Sequence, residues 1–256
     1  MITKKHLSSK ANRPYLRSKQ SKYLMKDIKG VVLHWTANTD RGATARANTK
    51  YFNRSYKGDF PFYEYNNRRF NYGSAHYIVD DMEIVEAVPP TEMAFHCGDT
   101  SYLKLNRHVP NLRTSNPNAH FIGIEICVNE GSNYIQTLKN VKTLIYQLNQ
   151  QFNLPSDMSK LYRHYDISGK DCPKQFQPYE DNRSFDWNWV LFKDWLKNGD
   201  LELLTLELNF LKEELKQANN KIYTLNTSKQ RLKDDNKPKL TFWEKVKRFF
   251  KNLNEK

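Results

Sequence analysis

The chain has 256 residues, of which 38% are hydrophobic and 27% charged, so it can form one large domain with a packed core and an appendage. Its net charge of +13 comes from the two ends, because residues 31–200 carry equal numbers of basic and acidic side chains. A nucleic-acid-binding protein more often carries its charge on the folded face, so we expect no nucleic-acid partner. The basic ends favour contact with an anionic surface such as a wall polymer or a membrane, with simple solubility as the alternative.

Three cysteines, Cys97, Cys127 and Cys172, are too few and too odd in number for a disulfide framework, so we expect reduced thiols. The polar first residues are not followed by the apolar stretch that a secretory signal peptide contains, so no signal peptide is expected. The chain contains no run of about eighteen apolar residues, so the sequence predicts no membrane-spanning helix.

The N-terminal half of the chain contains predicted strands and a helix. Residues 1–27 are basic and have little apolar periodicity, and we expect them to form an extended arm. The β-branched apolar run at 28–36 predicts a buried strand, and residues 43–53 suit a helix. Two strand-like runs within 74–89 lie on either side of a pair of aspartates and predict a hairpin.

The second half of the domain continues the mixture. Residues 121–129 form another apolar run and predict a strand. Apolar residues within 132–152 recur at steps of mainly three and four, which predicts a helix with one buried face. Residues 185–196 predict a further helix that packs through its tryptophans. The sequence therefore predicts an α/β domain over residues 28–198, with a mixed central β-sheet flanked by helices.

The remaining residues form a predicted helical tail that resembles a coiled coil. Apolar residues at alternating steps of three and four predict a heptad helix over residues 199–235, broken only by Lys229. Such a helix buries its apolar seam against a second copy, giving a homo-oligomer, or folds back on the domain. Residues 240–254 predict a basic amphipathic helix, which suits a membrane surface or a partner groove or packs on the heptad helix.

The segment LYRHYDISGKDCPKQF places several reactive side chains close together. His164 and Cys172 can meet at one metal ion if the loop between them bends back, which Gly169 makes easier. Catalytic zinc usually has three protein ligands and one open position for water, and His34 at the end of an apolar strand is the candidate third ligand. The alternative is an ordinary surface loop and a histidine that merely ends a strand.

Two other residues are candidates for chemistry. Glu125 lies in an otherwise apolar strand, where a lone carboxylate is expensive to bury and therefore needs a partner or a task. Lys170 comes two residues before Cys172 and either faces the same site or is a solvent-exposed loop lysine.

Six segments of the chain form a more specific pattern, in the order VVLHWTAN, ATARANTKYF, SAHYIVDD, EMAFHCGD, FIGIEICVN and RHYDISGKDCP. Together they resemble the zinc-dependent N-acetylmuramoyl-L-alanine amidases of phage endolysins and bacterial autolysins, whose fold is shared with peptidoglycan recognition proteins. The likeness covers roughly residues 12–196. It implies a mixed central sheet with helices on its faces and a zinc cleft at one side.

The resemblance also implies roles for individual residues. By motif, His34, His164 and Cys172 correspond to the Zn²⁺ ligands. Glu125 corresponds to the catalytic glutamate, which takes a proton from the attacking water, and Lys170 to a lysine that stabilises the oxyanion.

Further positions follow from the same likeness. His96 is expected to line the substrate cleft, and His76 is expected to be structural. Some relatives have a tyrosine where this chain has Ala75, and its absence fits the branch that uses a glutamate. Cys97 and Cys127 are expected to be small buried apolar residues that the metal does not need.

The implied function is an endolysin that hydrolyses the amide bond between N-acetylmuramic acid and L-alanine in peptidoglycan and so lyses the bacterial host. Without a signal peptide, such an enzyme is expected to stay in the host cytoplasm until it passes through holes in the membrane to the cell wall. One alternative is a non-catalytic peptidoglycan-binding module, which the complete ligand set and Glu125 disfavour. Another is a nucleic-acid or membrane-active protein that acts through its basic ends and needs no metal.

Overall fold

The computed structural model describes residues 2–10, 12–53, 64–65, 68–69, 73–98, 116–177, 187–199, 216, 219–220 and 222–229. The chain divides into two compact units, Met1–Glu207 and Leu208–Lys256. The described residues of the second unit are helical. The predicted amphipathic helix at 240–254 and most of the predicted heptad helix at 199–235 lie outside the described residues.

A six-stranded mixed sheet forms the centre of the first unit. The strands of the first unit, including a separate pair formed by β3 and β4, are β1 Ile2–Lys4, β2 Gly30–Trp35, β3 Glu64–Tyr65, β4 Arg68–Arg69, β5 Tyr77–Val79, β6 Ile84–Glu86, β7 Phe121–Ile126 and β8 Leu161–Arg163. The order in the central sheet is β1-β6-β5-β7-β2-β8, and every neighbouring pair is parallel except β5 and β6. The two longest strands, β2 and β7, therefore lie side by side.

Five α-helices accompany the sheet in the part of the unit that the structure describes. They are α1 Pro14–Ser18, α2 Ala45–Phe52, α3 Tyr134–Gln151, α4 His164–Ser168 and α5 Trp187–Asn198. The side chain of Thr44 caps α2 and that of Asn133 caps α3, each accepting a backbone N–H of the first turn. These caps fix where each helix begins after its loop.

Helices bury the sheet on both faces. On one face, Val32 and Phe121 pack with Ile167 of α4, and Ile78 packs with Ala45 of α2. The residues that alternate with these along the strands are buried as well, and α3 contacts β5, β6 and β7 through its apolar stripe. Burial on both faces explains why β2 and β7 are nearly continuous apolar runs rather than alternating ones.

The structure confirms the predicted fold class, a mixed sheet flanked by helices. The predicted hairpin within 74–89 is the antiparallel pair β5–β6, and the predicted strands and helices of residues 28–198 each have a counterpart. No helix among the described residues combines the length and the hydropathy that a bilayer-spanning segment requires.

The N-terminal segment differs from the extended arm expected for residues 1–27. Ile2–Lys4 pairs in parallel with Ile84–Glu86 at the edge of the sheet, and Leu7 is buried in the core beside Ile78. The segment has no apolar periodicity because it is fixed by a three-residue strand and by isolated anchors, which leave no pattern to detect. It is part of the packed unit.

Candidate metal centre and active site

His34 and Glu125 lie next to each other on one face of the sheet. His34 is the penultimate residue of β2, and it is in register with Glu125 of the parallel strand β7. Residues in register on adjacent parallel strands point to the same face, so both side chains leave the sheet together, near the carboxyl ends of their strands. The strands thus bring a histidine and a carboxylate to one place.

A short helix brings His164 to the same edge. β8 pairs with β2 on the side away from β7, and α4 begins at His164 as β8 ends. Arg163 holds this junction, because its guanidinium binds the carboxylate of Asp166 and donates to the carbonyl of Phe176 at 2.7 Å. The turn of chain between strand and helix is therefore fixed from two sides.

The loop after α4 returns Cys172 to the histidines. Gly169 ends the helix in the left-handed region, with φ of 77°, where a side chain would be strained. The N–H of Tyr165 donates to the carbonyl of Cys172 at 3.0 Å, which holds the returning chain beside the helix. The chain thus bends back at Gly169, as the meeting of His164 and Cys172 requires.

The three predicted ligands meet. His34 Nδ1 lies 3.1 Å from His164 Nδ1 and 3.8 Å from Cys172 Sγ, and all three side chains are buried. Their ligand atoms all lie within 4.8 Å of one another. Two ligand atoms on one tetrahedral zinc ion lie about 3.3–3.8 Å apart, so these two distances are close to those of such a site, and the donor types are ones that zinc binds.

Burial favours the uncharged forms of His34 and Cys172. Burial, followed by the charges of His164 and His96, lowers the pKa of His34 well below its ordinary value. Burial, followed by the charge of Glu125, raises the pKa of the Cys172 thiol to about 12. Neutral imidazoles can coordinate a metal at once, and a bound divalent cation is what would deprotonate the thiol.

Glu125 is half-buried, and its Oε2 atom is shielded from solvent and accepts no hydrogen bond from any described residue. Burial raises the pKa of Glu125 to about 8, and the charge of Lys170 acts in the opposite direction. Lys170 is exposed on the loop before Cys172, and its charge also acts on the pKa of His34. The charge of Lys170 therefore acts on both Glu125 and His34, and its role in the site stays a prediction.

His96 lies elsewhere than expected. Its side chain is buried, with Nδ1 3.0 Å from His34 Nε2 and Nε2 3.0 Å from the carbonyl of Phe121. Both ring nitrogens thus have protein partners, and the ring contacts His34 at Nε2, whereas His34 Nδ1 faces His164 and Cys172. His76 is structural, as predicted: its Nε2 bonds the carbonyl of Glu92, and its Nδ1 accepts the N–H of Gly123.

No structural role was predicted for Gly123. A Cβ atom at this position would lie 2.6 Å from Cγ and 2.7 Å from Nδ1 of His96, so only glycine leaves room for the ring against β7. The sequence did carry a signal, because a lone glycine inside an apolar strand often marks a close approach.

A mixed sheet that carries a buried His–His–Cys cluster beside a glutamate defines an α/β protein with a candidate metal centre. A sequence profile described as N-acetylmuramoyl-L-alanine amidase matches residues 24–175, and the chain belongs to this family.

Named relatives agree with this membership. The chain is 33% identical over 147 residues to a probable N-acetylmuramoyl-L-alanine amidase of Bacillus licheniformis, a match that covers 57% of this chain and 36% of the relative. It is 28% identical over 145 residues to the amidase XlyA of Bacillus subtilis strain 168, covering 57% of this chain and 39% of XlyA. The match thus spans little more than a third of the length of these relatives.

Solved structures extend the likeness to the fold. The catalytic domain of XlyA superposes with a TM-score of 0.54 at 25% identity, covering 77% of this chain and 99% of that domain. A mutant endolysin from Bacillus subtilis superposes with a TM-score of 0.53 at 26% identity, covering 77% and 98% of the two chains.

Proposed function

We propose that this chain is a zinc-dependent peptidoglycan hydrolase of the endolysin type. It cleaves the amide bond between N-acetylmuramic acid and the L-alanine of the stem peptide. The observation that carries the proposal is the convergence of His34, His164 and Cys172 beside Glu125 on one face of the sheet, in a chain of the amidase family. The names of the relatives supply the substrate, and the side chains supply the chemistry.

The three ligands would hold Zn²⁺ with one position left open, and the ion would act as a Lewis acid on the carbonyl and lower the pKa of a water molecule. Glu125 accepts a proton from the attacking water in its ionised form, which the charge of Lys170 favours and a bound cation beside it would favour further. The ammonium group of Lys170 offsets the negative charge that develops on the carbonyl oxygen.

Glu125 then returns the proton to the leaving amine. Water adds to the carbonyl carbon and the carbon–nitrogen bond breaks, which leaves a carboxylate on the lactyl group and a new amino terminus on L-alanine. The glutamate ends the cycle in its starting state.

The setting of this activity is part of the proposal. We propose host lysis from inside, with release to the cell wall through holes in the membrane, because the relatives include an endolysin. Self-association through the heptad helix at 199–235 and contact of the basic ends with an anionic wall polymer or membrane stay predictions. The excess of basic residues at both ends of the chain supports the second of these.

The test uses the full chain on purified bacterial cell walls. We expect the turbidity of the walls to fall and new L-alanine amino termini to appear, both to stop with a chelator, and both to return with added Zn²⁺. Elemental analysis should give about one zinc ion per chain. A folded protein that neither contains nor takes up zinc, or one that solubilises walls without releasing L-alanine termini, would refute the proposal.

A further inference from the structure

We propose that His96 is a positioning residue that fixes the tautomer and the orientation of His34 for metal binding, and that Gly123 is required because it makes room for the His96 ring. This inference rests on the proposed zinc function. It reassigns His96 from the cleft to the layer of side chains behind the ligands.

The hydrogen-bond chain runs in one direction. His96 Nε2 lies 3.0 Å from the carbonyl oxygen of Phe121, which only accepts, so Nε2 carries the hydrogen. The neutral ring then offers a lone pair at Nδ1. His34 Nε2, 3.0 Å away, and the Cys97 thiol, 3.2 Å away, both face that lone pair. With His34 Nε2 as the donor, His34 is left with an unprotonated Nδ1. This is the atom that faces His164 and Cys172.

Neutrality of both rings is consistent with their surroundings. Both side chains are buried, and burial favours the neutral imidazole over the cation. A metal-binding histidine typically donates its other ring N–H to a protein acceptor, which fixes the ring and makes it a better ligand. Here the acceptor is a second histidine whose own tautomer is set by a backbone carbonyl.

The His96 ring is held in place from three sides. The backbone N–H groups of His96 and Cys97 both donate to the side-chain oxygen of Asn118, at 2.9 and 2.7 Å. The rings of His34 and His96 are nearly perpendicular, with an interplanar angle of 89°. On the remaining side the ring lies against Gly123, where any Cβ would overlap it. The acceptor for His34 is therefore preorganised rather than chosen from several rotamers.

A second metal site is the competing explanation for the same atoms. His34, His96 and Cys97 also bring ligand atoms within 4.8 Å of one another, with Cys97 Sγ 3.2 Å from His96 Nδ1. Metals on both sides of His34 would require the ring to lose both hydrogens and become an imidazolate. The hydrogen-bond chain needs no such ionisation, so it is the better account.

The test measures zinc affinity of the full chain by competition with a chromophoric chelator. We expect His96→Phe, which keeps a ring but removes the acceptor, to weaken zinc binding about 10–100-fold. His96→Asn puts an acceptor oxygen near the position of Nδ1 and should recover part of that loss. Gly123→Ala displaces the ring and should weaken binding without touching a ligand. Cys97→Ala should keep the wild-type affinity and one zinc ion per chain.

Each outcome decides one question. Wild-type protein that binds no zinc would defeat the proposed function itself. Wild-type affinity in His96→Phe, with zinc bound to the parent, would overturn the positioning role and leave the proposed function intact. Equal losses in the Phe and Asn variants would assign the effect to packing, and loss of a second zinc ion in Cys97→Ala would favour the paired metal site. Either result overturns the inference.

Folding is checked separately, by circular dichroism and by melting of the zinc-free proteins. If His96→Phe does not fold, His96→Asn, which keeps a polar group at the buried position, and Gly123→Ala, which leaves the His96 side chain chemically intact, carry the test. Cobalt(II) gives a further readout. Misorientation of His34 should shift the ligand-field absorption bands of the Gly123→Ala variant, and an unchanged spectrum together with unchanged affinity overturns the inference.

Discussion

Glu125 stands beside His34 across two parallel strands, with one carboxylate oxygen shielded from solvent and unbonded among the described residues. A buried polar atom without a partner costs free energy, and burial accordingly raises the pKa of this carboxyl to about 8. The chain therefore tolerates a destabilising group next to the candidate metal ligands. Such a cost at a candidate site is expected where the group has a chemical task.

Replacing this glutamate should separate catalysis from metal binding. We predict that Glu125→Gln lowers the rate of L-alanine terminus release at least about 100-fold, because a general base is removed. Its zinc content should stay at the wild-type level, since Glu125 is not a ligand. The variant should melt at the same temperature as the parent or higher, because a buried acid is replaced by a neutral amide.

Glu130→Gln is the matched control, because Glu130 is an exposed acid that follows the same strand. It should leave rate, zinc content and melting temperature unchanged. Full activity in Glu125→Gln, or loss of zinc from it, would contradict the role given to Glu125.

The cysteines provide a second comparison within one chain. All three are free, and Cys127 is buried with its sulfur 3.6 Å from the side-chain nitrogen of Asn48, away from the histidines. We predict that Cys172→Ala loses bound zinc and activity. Cys127→Ala should keep both and lose only about 1 kcal/mol of stability from the smaller buried side chain.

Elemental analysis and chemical denaturation of the purified variants make the comparison. If Cys127→Ala also loses its zinc at unchanged fold, the ligand assignment from the His34 cluster is wrong.

The sequence indicated which residues form the cluster, but not how the fold brings them together. Long apolar runs predicted the strands β2 and β7, and the family likeness pointed to His34, His164 and Cys172. The convergence of His164 with His34 depends on a three-residue strand and a five-residue helix, which are too short to leave a periodic pattern. The contact between His96 and His34 was not predicted, because the two residues are 62 positions apart in the sequence and the His96 ring fits only because residue 123 is a glycine.

The exposed lysine of the site should affect rate rather than metal binding. Lys170 acts on the pKa of Glu125 and His34 through its charge. We predict that Lys170→Ala lowers kcat by about 10²–10³, as the loss of one oxyanion-stabilising group does elsewhere, with zinc affinity nearly unchanged. Steady-state rates on soluble wall fragments would give kcat apart from KM.

Lys174→Ala provides the comparison, because Lys174 is an exposed lysine in the turn just beyond Cys172. It should behave as wild type. Equal losses in the two variants would mean that only the overall positive charge of the loop matters.

The N-terminal segment should contribute to the stability of the domain, which an extended arm would not do. Arg13 donates from Nε and Nη2 to the carboxylate of Glu92 at 2.7 Å each, and both side chains are largely buried. Removal of one partner leaves a buried charge unpaired, so we predict that Arg13→Ala lowers the free energy of unfolding by about 2–4 kcal/mol.

Arg46→Ala is the counterpart on the surface. Arg46 also pairs with a glutamate, Glu83, but its side chain is mostly exposed, and solvent screens such a pair. Urea denaturation of the zinc-free proteins should therefore place Arg46→Ala within error of the parent and Arg13→Ala clearly below it. The difference arises because Arg46 is more than half exposed, so water screens its pair with Glu83, whereas both Arg13 and Glu92 are largely buried. If the two variants are equally stable, the first residues are an appendage after all, and the pairing of Ile2–Lys4 with the sheet edge contributes little to the stability of the domain.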